Sequence, residues 1–172
     1  EMFRRAASFK SLSRERLVSI SVAAEVFVRL HPDHFRVEQL IRMSSIWDKT
    51  SQERRNTMRT CEMNCMSILS GIVRDGIAQG DFKLPEPMTP EDIVFGLWSL
   101  NSGGHMIIDS SASLQEIGVS DPFLALKRHN NALLDGYQWK PLSHEHDFTQ
   151  VFQETLDHVF PEEKRELETL LQ

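Results

Sequence analysis

Cysteine, long apolar runs and clustered basic residues are all scarce in this sequence. Two cysteines, Cys61 and Cys65, in 172 residues are too few for a disulfide scaffold and indicate a reducing, cytoplasmic setting. The longest apolar stretches, such as residues 94–100, fall short of the ~18 residues of a membrane helix. A net charge of −6 argues against nucleic-acid binding by this chain alone, since phosphate contacts need clustered Lys and Arg.

The chain also lacks the short sequence motifs that are typical of common catalytic, phosphate-binding and metal-binding sites. It has no glycine-rich phosphate loop, no Gly-x-Ser-x-Gly elbow, no His-Glu-x-x-His, no Glu-x-x-His and no Cys-x-x-Cys. We therefore expect no enzyme activity, no cofactor and no metal. The chain begins at Glu1 without a charged-then-apolar leader, so we expect no signal peptide and a trimmed or partial chain.

The sequence does contain the features that predict α-helices: capping residues, and apolar residues at three- and four-residue spacing. No hairpin signature interrupts it. The prediction is an all-α fold, a single bundle of six or seven helices. The predicted helices cover residues 14–30, a segment from Asp33 to Trp47, residues 51–79, residues 90–109, a segment from Asp121 to Gly136, and a last amphipathic segment interrupted by Pro161. The helix over residues 14–30 is apolar on most sides, which predicts a central, buried position. The predicted ends include a capping box over residues 50–53, a stop at Gly80, a cap at Thr89 and a helix start at Asp121.

Charge is distributed unevenly between the two ends. Residues 1–16 carry five basic and two acidic side chains, whereas residues 143–172 carry two basic and eight acidic ones. The simpler interpretation of the C-terminal segment is a solvated, acidic, amphipathic helix. The alternative is that the basic N-terminal end faces a DNA-binding module that precedes residue 1.

Sulfur and imidazole groups are the candidate metal ligands of this sequence. Cys61 and Cys65 share one helix face with Met58 and could bind a soft metal, but two thiolates do not close a zinc site. Buried cysteines on an apolar stripe usually act as small hydrophobes, so packing or pocket lining is the favoured interpretation. His144 and His146 diverge on a helix, and a helix start explains that segment without a metal.

Trp98, Asn101 and His105 lie on one face of the predicted helix over residues 90–109. An aromatic ring, an amide and an imidazole could line a mostly apolar cavity that has a few placed polar groups. They could equally be a core tryptophan and two polar groups that neighbouring residues satisfy. The spacing of the three residues is compatible with both interpretations.

Three segments together resemble the C-terminal domain of the TetR family of transcriptional regulators. They run from Ile72 to Phe82, from Pro90 to Leu100 with Gly103 following, and from Asp121 to Leu142. The resemblance spans roughly residues 14–142. Family members begin with a three-helix DNA-binding domain containing a helix-turn-helix, and nothing in this chain matches it.

The resemblance implies a fold and a function. Residues 1–142 would form a helical ligand-binding and dimerisation domain, with residues 143–172 packed on it as an acidic amphipathic helix. A small apolar or amphipathic molecule would be the effector, and a homodimer would form through a four-helix bundle. DNA would be bound only through the domain absent from this chain, and no membrane would be involved.

The predicted sites follow from that resemblance and from the spacing of the residues. The candidate ligand-binding residues are Phe27, Met58, Cys61, Cys65, Trp98, Asn101 and His105. The candidate dimer interface comprises Gly96, Leu100, Gly103, Gly104, Ile107, Leu126, His129, Leu133 and Tyr137. One alternative is an all-helical interaction module that binds a partner helix. The last is an enzyme with Cys61 or Cys65 as nucleophile, which lacks a recognisable base.

Overall fold

The computed structural model describes residues 1–42 and 44–170, and within them the chain is all helical. These residues form nine α-helices and no strand, which confirms the prediction of an all-α fold in a single helical domain. The helices are α1 (Met2–Ala7), α2 (Ser13–Leu30), α3 (Pro32–Arg42), α4 (Ser44–Trp47), α5 (Gln52–Gln79), α6 (Pro90–Ser110), α7 (Pro122–Gly136), α8 (Phe148–His158) and α9 (Pro161–Leu170).

The predicted number of helices was too low because short or divided helices carry little periodic signal. The single helix predicted to follow Pro32 as far as Trp47 is two helices, α3 and the one-turn α4. Met43, between them, lies outside the described residues. The predicted C-terminal helix is likewise divided into α8 and α9, at the proline that the sequence analysis flagged.

The central position predicted for α2 is confirmed. This helix contacts α1, α3, α5, α6, α8 and α9. Its apolar residues are buried on most sides, which is how a helix with apolar residues around most of its circumference is accommodated. The fully buried ones include Val22, Ala23 and Val26.

Local capping chemistry fixes where the long helices begin and end. Ser51 caps α5, with its Oγ accepting from the Arg54 amide at 3.4 Å. Gly80 ends α5 in the left-handed region, at φ +77°, which glycine adopts without steric cost. At the start of α6, Thr89 and Asp92 exchange side-chain and backbone hydrogen bonds of 3.2 and 2.7 Å as a capping box.

The basic N-terminal end and the acidic C-terminal end of the chain pair with each other. Arg5 of α1 binds Glu163 of α9 at 2.8 Å, and Lys10 pairs with Glu154 of α8. Both α8 and α9 pack on α2, and Phe160 between them is fully buried. The acidic segment therefore forms part of the domain and neutralises basic residues of its own chain.

A buried arginine holds the segment after α7 against α2. Arg14 is fully buried, and its guanidinium donates to Asp135 at 2.7 Å and to the carbonyls of Trp139 and Pro141 at 2.6 and 2.8 Å. Its Cζ lies 4.5 Å from the centre of the Phe148 ring. Burial lowers the pKa of Arg14, but hydrogen bonding and the charge of Asp135 oppose that shift.

No helix among the described residues combines the length and the apolar character that crossing a bilayer requires.

Candidate functional site

The side chain of Arg42 links three helices, α3, α5 and α6. Arg42, at the end of α3, donates to Glu38 on the same helix at 2.7 Å and to Glu62 on α5 at 3.2 Å. Its Cζ also lies 5.8 Å from the ring centre of Trp98 on α6, within reach of a cation–π interaction. We call Glu38, Arg42, Glu62 and Trp98 the helix junction.

The two cysteines lie beside the helix junction, on α5. Cys65 is half-buried and Cys61 is exposed, and both are free thiols. Burial first, and then the neighbouring Cys61, raises the pKa of the Cys65 thiol to about 11. A thiol with such a pKa is protonated at neutral pH, which disfavours Cys65 as a nucleophile. Met58, on the same face of α5, is half-buried.

His105 is the most enclosed of the candidate ligand-binding residues. Its side chain is 4% exposed and lies between Phe35 of α3 and Phe123 of α7, at centroid distances of 6.4 and 6.1 Å. Burial lowers the pKa of His105 to about 4, so the imidazole is neutral at physiological pH.

Asn101 is engaged inside the chain. Its Nδ2 donates to the Leu97 carbonyl and to Asn130 Oδ1, both at 2.8 Å, and its Oδ1 accepts from Asn130 Nδ2 at 3.0 Å. This reciprocal amide pair joins α6 to α7. Both donors of the Asn101 amide are therefore used, which matches the interpretation of Asn101 as a polar group that neighbours satisfy.

Two further pocket candidates lie on different helices, Trp98 on α6 and Phe27 on α2. Trp98 is half-buried at the helix junction, with Phe95 packed edge-on at 6.5 Å. Phe27 is half-buried in the last turn of α2, and its ring lies 5.6 Å from that of His31. Sequence reasoning missed Arg42, which links α3, α5 and α6, because nothing in its own segment distinguishes it from a solvated charge.

Two of the predicted interface glycines face residues of the same chain. A Cβ added to Gly104 would lie 2.7 Å from Leu126, and one added to Gly96 would lie 3.6 Å from the Tyr137 hydroxyl. Leu126 itself is buried. Glycine at position 104 therefore lets α6 and α7 approach closely, whereas a Cβ at position 96 would be in ordinary van der Waals contact.

The other predicted interface residues of this region range from exposed to half-buried. A Cβ at Gly103 would meet nothing within 4 Å, and Ile107 is 55% exposed. Phe95 and Met106, which the sequence analysis gave no role, are also exposed on α6. We call Phe95, Gly103, Met106 and Ile107 the α6 outer face. On α7, His129 is exposed and Leu133 is half-buried; Leu100 of α6 and Tyr137, which follows α7, are also half-buried.

A polar depression lies away from these residues. It has a volume of about 470 Å³ and is lined by residues that include Ser143, His144 and Asp147. Nearby, His146 hydrogen-bonds to Glu15 of α2 at 2.9 Å. Asp147 caps α8, accepting from the backbone amide of Thr149 at 2.9 Å. This segment therefore has structural partners, as expected for a helix start.

Across the described residues, no group of three or more His, Cys, Asp or Glu side chains is arranged to hold a metal ion. No protein-family model, no curated protein and no solved structure matches this chain. Its function therefore has to be inferred from its own geometry.

Proposed function

We propose that this chain is the effector-sensing and homodimerisation part of a transcriptional regulator similar to the TetR family. An apolar or amphipathic small molecule would control DNA binding by a helix-turn-helix domain outside this chain. The observation that carries the proposal is the α6 outer face, which exposes large apolar side chains around an open glycine, beside α7.

A second copy of the chain would cover this face. Contiguous exposed apolar side chains mark interaction sites, and a two-fold interface buries the same face on both subunits at once. Gly103 permits close approach of a partner helix because nothing occupies the space beside it. Gly104 and Leu126 would support the interface from behind by holding α6 against α7.

The sensing part of the proposal rests on Trp98 and His105. Trp98 lies where α3, α5 and α6 meet, and a neutral His105 lies between aromatic rings of α3 and α7. A molecule that contacts these two side chains would bind one arrangement of the helices more tightly than another. That difference in affinity is what a ligand needs to shift the population of two states.

Native mass spectrometry of the purified chain at micromolar concentration tests the proposal. We expect a mass near twice 19.8 kDa. Ile107→Glu should give a monomer, because a carboxylate would be buried without a partner in the interface. The matched control is Val37→Glu: Val37 is 52% exposed, similar to the 55% of Ile107, but lies on α3, and its variant should remain dimeric.

A monomeric mass for the folded wild-type chain would contradict the proposal. In that case the alternative is the interaction module, in which the α6 outer face binds a helix of another protein. For the sensing part, any small molecule that co-purifies and leaves on denaturation should be lost from Trp98→Ala and His105→Ala. Retention of that mass in both variants would show that the site has been assigned to the wrong residues.

A further inference from the structure

We propose that Cys61 and Cys65 form a chelating dithiol site for a soft, thiophilic metal or metalloid centre that is satisfied by two sulfur ligands. This inference goes beyond the proposed function, because it requires neither the dimer nor a DNA-binding domain. These are the two cysteines of the chain, and both are free thiols.

The helix places the two thiols where one ligand can reach both. Because α5 runs without interruption from Gln52 to Gln79, residues four apart share a face, one turn from each other. Cys61 is exposed and provides access from solvent, whereas Cys65 is half-buried below it. Met58 adds a half-buried thioether one turn earlier on that face.

The spacing favours a bridging atom over a disulfide. Side chains four apart on a helix have Cβ atoms about 5–6 Å apart, whereas a disulfide needs about 3.5–4.5 Å. Oxidation of the pair would therefore require local distortion of α5. A metal or metalloid atom between the sulfurs lengthens the bridge and lets the helix stay intact.

The surroundings restrict the kind of centre that fits. Among the described residues, no third His, Cys, Asp or Glu joins the pair to make a metal-binding group. A structural zinc site needs four such ligands and is not available here. Soft centres that accept two thiolates match the donor set, and the Met58 thioether is a donor of the same soft kind.

An organic trivalent arsenical is a suitable probe, and its reaction balances without an oxidant. Phenylarsine oxide would form two As–S bonds to Cys61 and Cys65 as its As–O bond breaks. The oxygen leaves as water, carrying both thiol protons, and arsenic remains trivalent. A single thiol forms only one such bond, so the pair gains from the high effective concentration of the second thiol.

The test is titration of the reduced chain with phenylarsine oxide, followed by intact-protein mass spectrometry and a free-thiol count. We expect one adduct per chain, loss of two free thiols, and survival of the adduct in excess monothiol. Cys65→Ser and Cys61→Ser should each lower the apparent affinity by about 10²-fold, the order of a lost second attachment.

A displaced pair provides the matched control. In the double variant Thr60→Cys with Cys61→Ser, the chain keeps two thiols, but they are five residues apart and point away from each other around the helix. Thr60 is exposed like Cys61, so accessibility is preserved. If this variant holds the arsenical as tightly as wild type, or if the wild-type adduct dissociates in monothiol, the proposed chelating site is wrong. Neither outcome bears on the dimer.

Discussion

At the scale of single residues, His105 shows how enclosure sets the chemistry of a side chain. The ring is 4% exposed and packs against Phe35 and Phe123. Burial without a charged partner favours the neutral imidazole and lowers the pKa of His105 to about 4. A neutral ring can donate from one nitrogen and accept at the other, which suits orientation of a small polar group.

This pKa predicts a pH dependence of stability. In the unfolded chain His105 binds a proton below its ordinary pKa of about 6.5, whereas the folded chain resists protonation down to about 4. The unfolded state therefore binds more protons in this window. The free energy of unfolding should fall by about 3 kcal/mol from this residue as pH drops from 6.5 to 4.

Urea unfolding of wild type and His105→Leu across that pH range isolates the effect. All other titrating groups are shared, so the difference between the two curves reports His105. We expect the leucine variant to lack this part of the acid loss, and its stability relative to wild type to rise as pH falls. Parallel curves would mean that His105 is protonated as easily in the folded chain as in the unfolded one.

At the scale of helices, glycines in and after α5 have different structural roles. Gly80 follows the helix in a left-handed conformation, at φ +77°, and its amide hydrogen-bonds to the Ile77 carbonyl at 3.1 Å. Gly71 lies within the helix, and a Cβ there would meet nothing within 4 Å. One position needs glycine for its backbone conformation, while the other has ordinary helical geometry and free space.

The same substitution should therefore have opposite effects at the two sites. Gly80→Ala should destabilise the chain by about 1 kcal/mol, because an L-residue with a Cβ is strained in the left-handed region. Gly71→Ala should stabilise it by about 0.5–1 kcal/mol, because alanine loses less backbone entropy in a helix. Thermal unfolding of the two variants beside wild type gives the measurement, and shifts of equal sign would contradict this account.

At the scale of the whole molecule, Arg14 joins the start of α2 to residues that lie more than a hundred positions later in the sequence. Its guanidinium reaches Asp135 on α7 and the carbonyls of Trp139 and Pro141. Desolvation alone would raise the pKa of Asp135, but hydrogen bonds from Arg14 and Ser143, with the charge of Arg14, lower it instead. Burying this charge is compensated only because these partners are all in place.

Arg14→Met should destabilise the chain by about 3–5 kcal/mol, since the substitution removes one partner of a buried ion pair and leaves buried carbonyls without a donor. The control is Arg74→Met. Arg74 pairs with Glu91, and both side chains are more than half exposed, so the expected cost is about 1 kcal/mol at most. Chemical denaturation compares the two, and equal losses would show that burial of Arg14 confers nothing special.

The sequence alone determined the long helices and most of their ends. Gly80, Thr89 and Asp121 act at predicted helix ends, and Ser51 caps α5 within the capping box predicted over residues 50–53, because capping depends on a few neighbouring residues and a fixed backbone geometry. The burial of α2 was also predictable from the sequence, since a helix with apolar residues on most sides has no broad polar face to expose to water. Short helices such as α4 lack enough periodicity to be predicted.

Only the tertiary structure decided which side chains meet. Asn101 pairs with Asn130 and Trp98 meets Arg42, although 29 and 56 positions separate them in the chain. The basic N-terminal residues pair with acidic residues of α8 and α9, which charge counts alone assigned to solvent. Such contacts depend on how helices cross and on which polar groups lose water together, and both are properties of the packed bundle rather than of any local segment.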